Sequence, residues 1–324
     1  MKKIKKTYKK VKNFFKHLNK SINYMHDLSG IPRFILFFDI VWCRIRYGLS
    51  HNEYRIYEFY NIDGNKRKTY LNIRRHKRME KYLLDEKIIN VINDKDLFLK
   101  RFDEYVKRDV IDVDDLSFKE YENYCLKNKK ILCRSNKSSF LKTYKIYDVK
   151  DFRSPAYMIE KIKKDKLVLI EKCYSQYKKL KEINEELVLI NVTSIYNEGK
   201  CNIISSSIKF KDGNEIISGS IDTKNGVLVG HLKDSDGKNY SNKYAGYEIP
   251  KYEEIIKRVK KLSKEMEEIK EIEWTFSINS RGTIYLMDAN IYEDFVFAQT
   301  PEFLKNKIGF YPQYKKVRKS IIGF

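Results

Sequence analysis

The chain of 324 residues reads as an α+β protein with an α-rich N-terminal region and a mostly antiparallel β C-terminal region. Three observations predict this. Over residues 25–129 apolar side chains recur at helical spacing, punctuated by caps and stops. From Lys130 the pattern changes to short strands joined by Asn, Asp and Gly turns. Strand then follows strand with few helices between, unlike the alternation of a doubly wound sheet.

Residues 1–24 form the first region. Nine lysines fall in residues 1–20, and Ile4, Tyr8, Val11, Phe15, Leu18 and Ile22 recur every three or four residues, the pattern of an amphipathic basic helix. Two readings stay open: an interfacial helix on an anionic membrane, or a helix docked on the rest of the chain with its lysines solvated. Residues 34–42 are the most apolar stretch. They are about half of what a bilayer requires and contain Asp39, so a buried helix is expected. Tyr47-Gly48-Leu49-Ser50 reads as a helix stop followed by a new cap. Residues 51–60 and 66–72 follow, with Gly64 in the turn between. Helices are expected over 75–93 and 95–107, and over 118–127, where Ser117 and Glu120 have capping-box spacing.

Residues 130–324 form the third region. Strands are expected at 131–134 and 143–147, a helix at 154–164 and an apolar strand at 167–171. Four more strands, 187–196, 202–210, 215–221 and 226–232, are separated by Asn197-Glu198-Gly199, Asp212-Gly213 and Lys224-Asn225-Gly226. Ile249-Pro250 opens a helix over 252–269, and two C-terminal strands complete the pattern.

Composition narrows the function. With 42% hydrophobic residues, 25 Tyr and 18 Phe, the chain can fill a core of two or three subdomains around one cleft. The five cysteines, with no CxxC pair, argue against a disulfide framework or zinc site. The scattered histidines lack metal-ligand spacing. No secretory signal is recognisable, so a cytoplasmic protein is expected, peripheral at the inner face of the cell membrane if the basic helix binds lipid. The net charge of +22 points to an anionic partner. Without a recognition motif it does not single out nucleic acid.

The C-terminal pair carries the chemistry. Ile272, Trp274, Phe276 and Ile278 alternate with Glu273, Thr275 and Ser277. Asn279-Ser280-Arg281-Gly282 is the turn, and Asp288 and Asn290 share a face on the return. Centred on Arg281-Gly282, the hairpin sets Thr275 opposite Asp288 and Glu273 opposite Asn290. Such an oxygen cluster suits Mg²⁺, and equally an ordinary solvated hairpin.

An acidic strand, a turn and an Asp-x-Asn strand end resemble the magnesium motif of ATP-grasp proteins. More widely, the chain resembles the sugar-transfer-associated ATP-grasp family, found with cell-surface polysaccharide genes. The matching residues are Tyr47-Gly48-Leu49-Ser50-His51-Asn52-Glu53-Tyr54 with Tyr57 to Tyr60 behind it, Asn93-Asp94-Lys95, Ile170-Glu171 with Gln176, Ser220-Ile221-Asp222 with Gly226, Gly246-Tyr247-Glu248-Ile249-Pro250, Trp274, Asp288-Ala289-Asn290 and Gln299. The resemblance implies an ATP-grasp fold. It implies Lys95 on the ATP phosphates, Glu171 at adenine or ribose, Gln176 beside the cofactor, and Asp288 and Asn290 on Mg²⁺. By their own surroundings Lys95 also reads as a helix-surface lysine and Glu171 as a solvated strand end.

The departures are specific. Thr275 stands where the family has Asp, and Glu273, on the same face, is the expected replacement ligand. Cys133-Arg134 stands where it has Lys-Pro, leaving Arg134 to bind phosphate. Asn136-Lys137-Ser138-Ser139 replaces a glycine-rich loop, with Lys137 as its cation. Residues 187–190 are apolar where the family carries an Arg. The implied activity is Mg-ATP-dependent activation of a carboxylate as an acylphosphate, then amide formation with an amine such as an amino sugar. Two alternatives are a nucleotide-binding or scaffold protein without turnover and a basic membrane-surface binding protein.

Overall fold

The structure, a computed structural model, describes residues 2–136, 140–235, 237–290 and 295–323. Its helices are α1 (Lys2–Ser29), α2 (Arg33–Tyr47), α3 (His51–Ile56), α4 (Gly64–Arg67), α5 (Ile73–Leu83), α6 (Glu86–Asn93), α7 (Lys95–Arg101), α8 (Asp103–Val106), α9 (Phe118–Lys127), α10 (Phe140–Thr143), α11 (Pro155–Lys164), α12 (Lys178–Lys181), α13 (Tyr252–Glu265) and α14 (Tyr311–Ile322). Its strands are β1 (Val110–Asp112), β2 (Lys130–Arg134), β3 (Lys145–Asp148), β4 (Leu169–Lys172), β5 (Val188–Asn197), β6 (Lys200–Asp212), β7 (Glu215–Ile221), β8 (Leu228–Lys233), β9 (Asn239–Ser241), β10 (Glu271–Ile278) and β11 (Ile284–Asn290). The α+β class is as expected, and every strand pair is antiparallel.

The chain forms two units, Met1–Tyr82 with Asp294–Phe324, and Leu83–Glu293. This differs from the expected division at residues 24 and 129. Residues 83–129 join the sheets because β1 pairs with β4 and Phe98 and Phe102 enter the main core. The last residues join the N-terminal helices. There the buried Gln299 side chain accepts from Leu71 N and Phe310 N, both at 3.0 Å, and donates to Leu71 O at 2.8 Å.

In the first unit, α1 buries Leu18, Ile22 and Met25; the side chains of Ile4, Tyr8 and Val11 lie outside the described residues. Phe15, expected on the apolar face, is exposed. Gly48 ends α2 in the left-handed conformation (φ 77°). Ser50 opens α3 with a full capping box to Glu53, as the sequence indicates. The expectation of a buried helix at 34–42 is corrected. α2 buries only Leu36, Ile40 and Cys43, and leaves Phe34, Phe38 and Trp42 exposed. A helix apolar on all sides can set only one face on its neighbours, here α1 and α3.

In the second unit, β1-β4-β2-β3 make a four-stranded sheet and β11-β10-β5-β6-β7-β8-β9 a seven-stranded one. Tyr121 and Cys125 of α9 and Met158 and Ile162 of α11 pack on Ile131, Cys133 and Ile170 of the small sheet. Val259 and Leu262 of α13 pack on Val192, Trp274 and Phe276 of the large one. A third cluster, including Leu132, Phe140, Leu189 and Met287, joins the two sheets. The helix expected over 75–93 is two helices, because Leu83 O leaves the helical ladder to accept from Lys270 N at 2.6 Å. That expected over 95–107 divides at Phe102. Ser154 caps α11 by accepting from Tyr157 N. Ser154→Ala is expected to cost about 1 kcal/mol, measured as a lower urea midpoint at unchanged m-value.

Candidate functional site

The site is built on the β10–β11 hairpin. Asn279 shapes its turn, its Oδ1 accepting from Arg281 N at 3.0 Å and Thr283 N at 2.9 Å, with Gly282 at φ 79°. Near the turn Ile278 faces Ile284 and Phe276 faces Leu286. Continued unbroken, that register would set Asp288 against Trp274, on the apolar face. A bulge at Met287 inserts one residue, so Thr275 meets Asp288 and Glu273 meets Asn290. These are the pairs the sequence indicates, reached by a bulge it does not reveal. Bulges re-aim side chains in this way, and this one carries Asp288 to the polar face. That face is not solvated: Glu273, Thr275 and Ser277 are buried, and Asp288 is 0% exposed.

Lys95 opens α7 beside its cap Asp94, whose side chain accepts from Asp96 N and Leu97 N. Its ammonium is buried against Asp288, with Nζ 2.6 Å from Oδ1, and donates to Ile92 O at 3.1 Å. It is therefore not a helix-surface lysine. The other Asp288 oxygen accepts from Phe140 N at 2.9 Å. Glu273 pairs with Lys209 at 3.1 Å, and Asn290 Nδ2 reaches its second oxygen at 3.5 Å. Thr275 accepts from Asn191 Nδ2 at 3.2 Å.

Glu273, Asp288 and Asn290 thus share one face, but each carboxylate already has a lysine and neither Asp288 oxygen is free. Mg²⁺ binds through one or two carboxylates together with phosphate oxygens, and here each carboxylate is already paired with a buried or half-buried lysine that the ion would have to displace. As arranged, this donor set does not fit magnesium. Among the described residues no group of three or more His, Cys, Asp or Glu could hold a metal.

A second cluster lies where the small sheet approaches the hairpin. Glu171 of β4 is buried, not solvated, and pairs with Arg108. Arg108 also donates to Leu286 O at 3.1 Å. Arg134, at the end of β2, is 0% exposed. Its Nε is 3.9 Å from Glu171 Oε1, beyond hydrogen-bond reach, and its guanidinium carbon lies 5.4 Å from the Phe140 ring centroid. Among the described residues none of the three Arg134 nitrogens has a hydrogen-bond partner, and Glu171 Oε1 and Arg108 Nε have none either. Burial and the neighbouring Arg134 push the Arg108 guanidinium down to about 9. Burial also lowers Arg134. Two guanidiniums share one carboxylate, leaving one positive charge in excess. A buried ionic group without partners is expensive, and this excess is what an incoming anion would neutralise.

Arg108 and Glu171 reach a cavity, with Arg134 buried behind them. This cavity of about 30 Å³, bordered by Arg108, Glu171, Gln176 and Tyr285, adjoins a groove of about 690 Å³. The groove is lined by Lys127, Lys129, Lys130, Lys172 and Lys181 against Glu185 and Glu186. Gln176 stands in the wall with its amide engaged by Val188 N at 2.9 Å and by Asn184 O. Lys137 and the loop 137–139 lie outside the described residues. Arg108 and Lys209 carry no signal in the sequence. Arg108 precedes a three-residue strand too short to register, and Lys209 is one of many lysines on polar strand positions.

A nucleotide suits this donor set where magnesium does not. Arg134 offers the planar fork that phosphate accepts, Arg108 adds charge and one unpaired nitrogen, Nε, and the lysine-lined groove is of ligand size.

Neither a protein-family model nor any curated protein matches the chain. Among solved structures, it is similar to D-alanyl-alanine synthetase A from Vibrio cholerae O1 biovar eltor, at 12% identity and TM-score 0.44 over 72% of this chain and 66% of that one. It is similar to D-alanine–D-alanine ligase from Bacillus anthracis, at 19% identity and TM-score 0.39 over 72% and 66%. It is also similar to the ATP-grasp ligase PsnB complexed with minimal precursor, at 10% identity and TM-score 0.43 over 74% and 64%. The chain thus spans less than two thirds of the length of each.

Proposed function

We propose that the second unit is an ATP-binding module of ATP-grasp type, with Arg134 and Arg108 receiving the polyphosphate. The observation that carries this is Arg134, a fully buried guanidinium whose three nitrogens have no partner among the described residues. Lys95 and Lys209 hold Asp288 and Glu273, so the positive charge facing the nucleotide comes from the protein's own side chains. Glu171 orients Arg108 and keeps one oxygen for a donor such as a ribose hydroxyl.

The finer activity is an ATP-dependent carboxylate–amine ligase, acting in cell-surface polysaccharide modification. It rests on the sequence resemblance. Bound ATP would supply the phosphoryl group that turns a carboxylate into an acylphosphate for attack by an amine. The two lysine–carboxylate pairs favour a second reading, a nucleotide-binding protein without turnover. Thermal unfolding across an ATP series tests the common part: a ligand of the native state raises stability with its concentration, and an unmoved midpoint would refute both readings. ADP release with candidate acids and amines separates the ligase from the binder.

A further inference from the structure

We propose that the first unit docks on an anionic membrane surface, with the exposed face of α2 in the lipid interface and the basic groove beside it holding lipid phosphates. This inference is independent of the nucleotide reading. At 100° per residue, Leu36, Ile40 and Cys43 fall on one side of α2, and these are its buried residues. Phe34, Phe38, Trp42 and Ile45 fall on the opposite side, 65%, 65%, 57% and 76% exposed, flanked by Ile35 and Val41. Six large apolar side chains make a continuous stripe about 120° wide. Soluble surfaces rarely leave such a patch uncovered. No described helix is long and apolar enough to cross a membrane, so the stripe suits a helix lying in the interface, where Trp and Phe are favoured.

The occupant follows from charge. The groove that begins at Ile45 and Arg46, where the stripe ends, measures about 740 Å³. Arg74, Arg78 and Lys81 of the α5 segment and Arg318 of α14 line it. It holds seven Lys and Arg and no Asp or Glu. The first unit carries 27 Lys and Arg against 8 Asp and Glu, the second 39 against 36. Nearly all of the net +22 therefore sits in the unit that bears the stripe. Two copies stacked through this face would oppose like charges. An anionic bilayer offers hydrocarbon to the stripe and phosphate to the groove, and each basic side chain near its surface adds to the attraction.

The test uses the full chain and vesicles of phosphatidylcholine alone or mixed with phosphatidylglycerol at about two to one. Cosedimentation with the mixed vesicles is expected to exceed that with phosphatidylcholine by about tenfold or more and to fall with salt. Trp42 emission should shift to the blue, since the only other tryptophan, Trp274, is fully buried. Phe38→Ser with Ile45→Ser, both at exposed positions, should lose about tenfold in binding and the blue shift, with unchanged circular dichroism. Arg46→Gln with Arg78→Gln and Arg318→Gln should lose the preference for phosphatidylglycerol. Equal binding by the wild type and either variant would overturn the proposal. So would a lipid-free dimer that Phe38→Ser with Ile45→Ser abolishes, since the stripe would then be a self-interface.

Discussion

Arg134→Met is expected to stabilise the ligand-free protein and to abolish its stabilisation by ATP. The two effects have one cause. Arg134 is fully buried, has Glu171, already paired with Arg108, 3.9 Å away, feels Asp288 only through space, and makes no hydrogen bond to the described residues. Replacing a buried ion pair or triad by apolar side chains of similar volume is often neutral or gains about 1–4 kcal/mol, and here Glu171 keeps Arg108 when Arg134 is removed. The variant would keep the contact with Phe140 and remove the excess charge. An anion would then lose its principal fork of donors. Arg134→Lys should restore the charge but not the bidentate geometry, recovering only part of the ATP effect. Thermal and urea unfolding with and without ATP read both quantities. A ligand-free variant destabilised by several kcal/mol would mark Arg134 as a structural ion-pair partner.

Lys95→Met is expected to cost about 3–5 kcal/mol, because it leaves the Asp288 carboxylate buried and without its cation. Asp288 is 0% exposed and, among the described residues, would keep one hydrogen bond, from Phe140 N, with Arg134 and Arg108 acting on it only through space. The double variant Lys95→Met with Asp288→Leu removes both charges together. It should recover most of the loss, giving a coupling energy that a double-mutant cycle isolates. A single-variant cost under about 1 kcal/mol would mean that water reaches the pair, contrary to the burial described.

Much of the architecture is legible in the sequence because local chemistry and fold agree there. Ser50 with Glu53 and Ser117 with Glu120 fix helix starts. The alternation Ile272, Trp274, Phe276, Ile278 fixes a strand whose apolar side meets α13. The rest depends on contacts between distant residues. Nothing near Leu83 announces that its carbonyl will accept from Lys270. The bulge at Met287 is invisible to a count of alternation. The apolar face of α2 at Phe38 and Trp42 looks like core until the neighbours that could cover it are placed. At the site, Asp288, Asn290, Lys95, Arg134 and Glu171 are locatable by type and position. Their pairing is not, because it depends on which lysine reaches which carboxylate, and Lys209 and Arg108 carry no local signature.

As proposed, the second unit takes ATP on its own cations, Arg134 and Arg108, while Lys95 and Lys209 occupy the carboxylates a metal would need. Calorimetric titration of ATP in excess EDTA and in excess Mg²⁺ tests it directly. ATP should bind in EDTA with an affinity within about threefold of that in Mg²⁺. Binding seen only with Mg²⁺ would contradict the metal-independent part while sparing the nucleotide site. No binding in either condition would contradict the site itself.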